Sequence, residues 1–213
     1  MTVAGHHAYV ADGGAGLRVI DVSAPGTPTE VGFVDTPGSA FAVAVAGNYA
    51  YVADLSEGLR VIDIGNPAMP VEVGFVDTPG SAYGVAVAGD HAFVADSSSG
   101  VQVIDVSVPT APVEVAFYDT PGNAFDIAVV DDQAYVADGS QGVLVLDITI
   151  PTAPVFVGSY DTVGEARGIG LADGTVVLAD YNAGLAVFDD CREVVFEDGF
   201  EALGASAWSV VVP

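Results

Sequence analysis

Five aspartates recur at steps of 42 residues: Asp12, Asp54, Asp96, Asp138 and Asp180. Gathered on one face of a closed structure, such a set can ring a site for Ca²⁺, a hard cation that takes oxygen ligands. The same aspartates each precede a short turn ending in glycine, where a carboxylate can accept backbone N–H bonds instead. The turn role is the simpler expectation, and no Asp-x-Asp-x-Asp-Gly calcium loop is present. A second row, Asp21, Asp63, Asp105, Asp147 and Asp189, stands just ahead of the proline-bearing turns and reads as turn-capping.

A third row places Phe41, Tyr83, Phe125 and Arg167 at the same step. Asp126 beside it is singular, because its counterparts are Ala42, Gly84 and Gly168. Aromatic rings with a lone arginine can anchor a partner, and aromatic rings equally serve as packing between layers. His6, His7 and His91 share positions with Asn48, Tyr49, Asp90, Asp132 and Gln133, which marks them as turn residues before metal ligands. No Gly-x-Ser-x-Gly elbow, phosphate loop or dinucleotide fingerprint precedes a helix. Cys191 adjoins Asp190 and Arg192 and lies close to Asp189. Acidic neighbours raise a thiol pKa, so it reads as a structural thiol or one pairing with another chain. No cofactor other than Ca²⁺ is suggested, and no catalytic residues are assigned.

The 213 residues carry 29 acidic and 4 basic side chains, a formal charge of −25, while 51% of residues are hydrophobic. That apolar content excludes a disordered acidic tail. The charge argues against nucleic-acid partners, which require cationic groups to release phosphate counterions. It favours cationic partners or divalent ions, or serves solubility alone. One cysteine cannot form an internal disulfide framework, and no apolar run reaches the length of a transmembrane segment.

The positions above are held by an internal repeat. Residues 8–49 and 50–91 agree at 29 of 42 positions. Each period contains four short apolar stretches separated by Gly, Asn, Asp and Pro: 41–46, 50–53, 59–64 and 71–76 in the second copy. Four antiparallel strands in about 42 residues is the period of a β-propeller blade. The first strand alternates Val with Ala or Gly, as crowding at a hub demands, and the fourth carries Pro and Glu, which guard an exposed edge. The expected fold is therefore all-β: a propeller of about five four-stranded antiparallel blades, complete or part of a larger ring. An incomplete ring would leave an apolar blade face exposed.

The stretches Gly-Leu-Arg-Val-Ile-Asp-Val-Ser at 16–23, Gly-Leu-Arg-Val-Ile-Asp-Ile at 58–64 and Gly-Val-Gln-Val-Ile-Asp-Val-Ser at 100–107, with proline pairs such as Pro25 and Pro28, resemble the LVIVD repeat. That family is similar to the YVTN-type propellers of bacterial and archaeal surface proteins. The resemblance covers roughly residues 3–190. It implies an extracytoplasmic location, secreted or at the cell surface, and offers no catalytic residues to carry over. No leader is visible at Met1 to His7, and Val3-Ala4-Gly5 aligns inside a strand, so the expectation is a chain that begins within a longer precursor. Residues 1–193 form the repeat domain and 194–213 a tail. In the tail, Phe196-Glu197-Asp198-Gly199-Phe200-Glu201 and Trp208-Ser209 resemble a sorting element of secreted proteins; alternatively the tail supplies the last outer strand. The expected function is a non-catalytic binding module for an unknown protein, small-molecule or glycan ligand, using loops around the channel. The alternatives are a lyase or hydrolase domain with Asp126 and Arg167 at the channel mouth, and a surface array exported or anchored through its tail.

Overall fold

Short apolar stretches broken by turn-forming residues fold into successive hairpins. In the computed structural model, which describes residues 1–172 and 174–189, these hairpins build five antiparallel sheets. Blade one contains β1 (Thr2–Ala4), β2 (His7–Ala11), β3 (Leu17–Asp21) and β4 (Thr29–Val34). Blade two contains β5 (Ala42–Ala46), β6 (Tyr49–Ala53), β7 (Leu59–Asp63) and β8 (Val71–Val76). Blade three contains β9 (Gly84–Ala88), β10 (His91–Ala95), β11 (Val101–Asp105) and β12 (Val113–Tyr118). Blade four contains β13 (Asp126–Val130), β14 (Gln133–Ala137), β15 (Val143–Asp147) and β16 (Val155–Tyr160). Blade five contains β17 (Ala166–Ala172), β18 (Thr175–Asp180) and β19 (Gly184–Asp189). Cys191 and the segment 194–213 lie outside the described residues.

The turn between the first two strands requires a left-handed residue. Gly5, Gly47 and Gly89 supply φ values of 59, 58 and 55°, and Asp131 adopts 51° in blade four. Aspartate tolerates this region because its short side chain can bond locally. Between the third and fourth strands the register slips: Val61 faces Gly74, whereas Ile62 faces Glu72. The same bulge recurs in blades one, three and four and bends the outer strand. Where it bends, the Gly74 backbone approaches Pro109 of the next blade so closely that a Cβ would press on the Pro109 carbonyl.

Each blade is apolar on both faces. Tyr9, Leu17 and Val19 of blade one pack on Ala50, Val52 and Ile62 of blade two. Tyr51, Leu59 and Val61 on the other side of blade two meet Ala92, Val94 and Ile104. The pattern continues from Phe93, Val101 and Val103 to Ala134, Val136 and Leu146. It ends with Tyr135, Val143 and Val145 against Val176, Leu178 and Phe188. The innermost strands follow suit, β1 on β5, β5 on β9, β9 on β13 and β13 on β17.

Among the described residues no such cluster joins blade five to blade one. Val10 and Ile20 are partly exposed where their counterparts Val52 and Ile62 are fully buried. Leu185 is 53% exposed where Leu59 is at 0%. Truncating a fully buried leucine removes transfer energy and leaves a cavity, so Leu59→Ala should cost about 2–5 kcal/mol. Leu185→Ala should stay within about 0.5 kcal/mol, as a surface substitution does. Urea unfolding of the two variants measures the contrast, and equal losses would contradict these burial assignments.

Candidate functional site at the hub mouth

The recurring Ala-Asp carboxylates do not gather into a ring of ligands. Among the described residues no group of three or more His, Cys, Asp or Glu side chains is arranged to hold a metal. Instead, Asp54, Asp96 and Asp138 are buried, and each clasps the segment that leads into its own blade. Thr36 Oγ1 donates to Asp54 Oδ1 at 2.7 Å and the Gly38 N–H donates to Oδ2 at 2.8 Å. Thr78 and Gly80 treat Asp96 alike, at 2.7 and 2.8 Å, and Thr120 and Gly122 treat Asp138 alike, at 2.7 and 2.9 Å. The donors thus come from the preceding Asp-Thr-Pro-Gly segment, not from the turn that follows. That turn closes through its backbone, as from Asp54 N–H to Gly58 O. Asp180 keeps only the Gly164 N–H, at 3.0 Å; Thr162 Oγ1 and Asp180 Oδ1 are buried without hydrogen-bond partners. Asp12 is exposed and faces Arg18 at 3.5 Å.

The second aspartate row is local. Asp21, Asp63, Asp105 and Asp147 each accept from the backbone N–H two residues on, at 2.8 Å. His6 and His7 occupy and leave the β1–β2 turn, and His91 begins β10.

The third row converges. The Phe41, Tyr83 and Phe125 N–H groups donate to Ala53, Ala95 and Ala137, which fixes each aromatic at the start of an innermost strand. Phe41 meets Tyr83 edge-on at 5.0 Å between centroids, and Tyr83 meets Phe125 at 5.3 Å. Arg167 ends the series with its guanidinium 4.0 Å from the Phe125 centroid and 5.6 Å from that of Tyr181. It sits at a register shift between Ala166 and Gly168 and is held by Glu165 at 2.9 Å. A bulge redirects a side chain in this way.

Phe41, Tyr83, Phe125 and Arg167 line one cavity of about 570 Å³, together with Asp126, Ala42, Val43, Val85 and Met1. Phe41, Tyr83, Phe125, Asp126 and Arg167 are therefore brought together. Asp126 straps two blades: Oδ1 accepts from its neighbour Ile127 at 2.9 Å and Oδ2 from Ile169 of β17 at 3.0 Å. Gly84 makes room for it, since a Cβ there would crowd Asp126. Burial pushes its carboxyl above the ordinary value, against the pull of the two N–H bonds.

Successive four-stranded sheets with small residues at the hub define a β-propeller. The repeats at 1–36, 37–78, 79–120 and 121–162 match the LVIVD repeat, and the chain belongs to that family. No functionally curated protein shows significant similarity to it. Among solved structures it resembles the computationally designed Ika8 protein, with 11% identity, TM-score 0.70 and coverage of 88% of this chain. It spans only 57% of that protein's length. It also resembles the computationally designed Ika4 protein, with 13% identity and TM-score 0.59, over 73% of this chain and 93% of that one.

Removing a latch hydroxyl leaves a buried carboxylate oxygen without its donor. Thr78→Val should therefore cost about 1–3 kcal/mol, whereas Thr162→Val should cost far less because its hydroxyl bonds nothing. Denaturant midpoints of the pair test this, and a costly Thr162→Val would refute it.

Burial also raises the carboxyls of Asp96 and Asp138, as it does that of Asp126. Hydrogen bonds from Ser23, Ser107 and Thr149 lower those of Asp21, Asp105 and Asp147. The raised group favours folding most below the ordinary 3.8, and that contribution is lost as pH rises through the raised values. The lowered group contributes above 3.8 and loses it as pH falls through the lowered values. Side-chain carboxyl NMR titration should place the two groups on opposite sides of 3.8, and a single cluster would contradict the burial of the first group and the hydrogen bonds of the second.

Proposed function

We propose that this propeller is a non-catalytic extracytoplasmic binding module that receives a small-molecule or glycan ligand at the hub mouth. The observation that carries the reading is the continuous series Phe41–Tyr83–Phe125–Arg167 around one cavity. Partly exposed ring faces offer apolar contact area at low conformational cost, and Arg167 is the cationic side chain among the lining residues. A ring-shaped ligand with an anionic group, such as an acidic oligosaccharide, matches both. Asp126 is the acidic side chain of the same lining, and its two oxygens already accept backbone N–H bonds. It acts as a strap between blades.

One observation favours the enzymatic alternative: Asp126 and Arg167 share the cavity, and the Asp126 carboxyl is raised. A lyase or hydrolase using it as acid or base would lose turnover in Asp126→Asn.

An array of neutral and uronate oligosaccharides, followed by titration of the hits, tests the binding reading. Tyr83→Ala and Arg167→Ala should each weaken binding at least tenfold, while Phe33→Ala, on an outer strand, should leave it unchanged. Absence of any acidic hit, or binding indifferent to both hub variants, would overturn the assignment. Turnover of a bound oligosaccharide that Asp126→Asn abolishes would favour the enzyme.

A further inference from the structure

The outer parts of blades one, two and three carry the same glutamate and phenylalanine, and the repeats pair them differently. In blade two, Arg60 is buried among Glu57, Glu72 and Asp77, at 3.0, 3.7 and 3.4 Å, with its guanidinium 4.7 Å from the Phe75 centroid. In blade one, Arg18 lies 3.4 Å from Glu30 and 5.0 Å from the Phe33 centroid. Blade three keeps the corresponding Glu114, Phe117 and Asp119, but Gln102 stands where the arginine would be. The Gln102 carboxamide donates to the Ser99 carbonyl at 2.7 Å. A cavity of about 270 Å³ is lined by these same residues and Pro79.

We infer that the Glu114–Phe117–Asp119 cavity of blade three is a receptor for a guanidinium group, supplied by an arginine side chain of a partner polypeptide. The acids alone would not justify this. The independent observation is that the same repeat positions hold a guanidinium twice elsewhere in this chain, each time over the equivalent phenylalanine ring. Phe117 is 64% exposed, so the ring face is accessible from outside. A guanidinium is favoured over an ammonium because its planar fork can stack on a ring while bonding two carboxylates. The charge of −25 adds long-range attraction for a basic partner. Glu114 also acts on the buried Asp96, whose carboxyl is raised chiefly by desolvation and further by this neighbour, and a bound cation would relieve that repulsion.

The test uses ¹H–¹⁵N NMR titration of the whole chain with the tripeptide Gly-Arg-Gly, with Gly-Lys-Gly and free arginine as comparisons. Gly-Arg-Gly should produce saturable shifts at the Gln102, Glu114, Phe117 and Asp119 amides, and bind at least tenfold more tightly than Gly-Lys-Gly. Glu114→Gln should weaken it at least tenfold. Gln102→Arg, which places the chain's own guanidinium in the cavity, should abolish binding and raise the thermal midpoint. No saturable shift at these amides, equal affinity for the lysine peptide, or undiminished binding in Gln102→Arg would overturn the site. Free arginine binding more tightly than the tripeptide would overturn the assignment to a polypeptide partner.

Discussion

A sheet that is apolar on both faces cannot stand in water alone; it must be covered on each side. The remaining features of this molecule follow from that constraint. The strands that crowd together at the hub, β5 and β9 among them, alternate valine with Ala44, Ala46, Ala86 or Ala88. At the opposite edge, Gly74 lets an outer strand lie against the next blade's proline turn. Between hub and rim, the Thr–Asp–Gly latch fixes the segment that crosses from one blade to the next. The crossing segment would otherwise bring backbone donors into a buried place without acceptors, a costly arrangement.

This constraint sorts positions into two kinds. Side chains that face a neighbouring blade repeat with little change, because a packed interior penalises altered volume. Side chains that face the channel mouth or the outer rim are free to differ. Phe41, Tyr83 and Phe125 give way to Arg167, and the change comes with a bulge, with Glu165 to hold the guanidinium and with Tyr181 as a further ring. Asp126 enters a row otherwise held by Ala42, Gly84 and Gly168, and the small neighbours are what admit a carboxylate there. Individuality within the repeat thus concentrates at a few places where the packing rule is silent.

The strands were legible in the sequence because their signals are local. The turns at Gly47 and Pro67 bracket strands whose bounds move by a residue or less from expectation, as with Val71–Val76. Asp21 and its counterparts were legible for the same reason, since their donor lies two residues ahead. The Asp54 row was harder. Its partners lie 16 and 18 residues earlier, and a reading confined to the following turn misses them. The available signal was the Asp-Thr-Pro-Gly segment recurring at that fixed distance. The step of 42 residues placed the hub aromatics together, but their exposure depends on the width of the channel mouth, which periodicity does not encode. The Arg60 surroundings were not legible either, because Glu72 comes beside Arg60 through a register slip that only the folded strand pair reveals.

The arginines show how charge is managed in a chain so rich in carboxylates. Arg18, Arg60 and Arg167 each combine a carboxylate contact with an aromatic face. Burying a cation costs several kcal/mol unless nearby anions offset the loss of water, and Arg60 meets that condition with several carboxylates at once. Blade four deletes a pair: Leu144 and Phe156 replace the arginine and the glutamate together, while Asp161 keeps the place of Asp77. A pair exchanged for apolar groups in concert is close to neutral, whereas loss of one member is not. Blade three has lost the cation and, with Ser99 in the place of Glu57, one of its carboxylates. Glu114 and Asp119 remain at the rim, where water can solvate them, so the imbalance is tolerated without the penalty that a fully buried orphan charge would bring. Partial exposure therefore keeps such a position both foldable and open to an external cation.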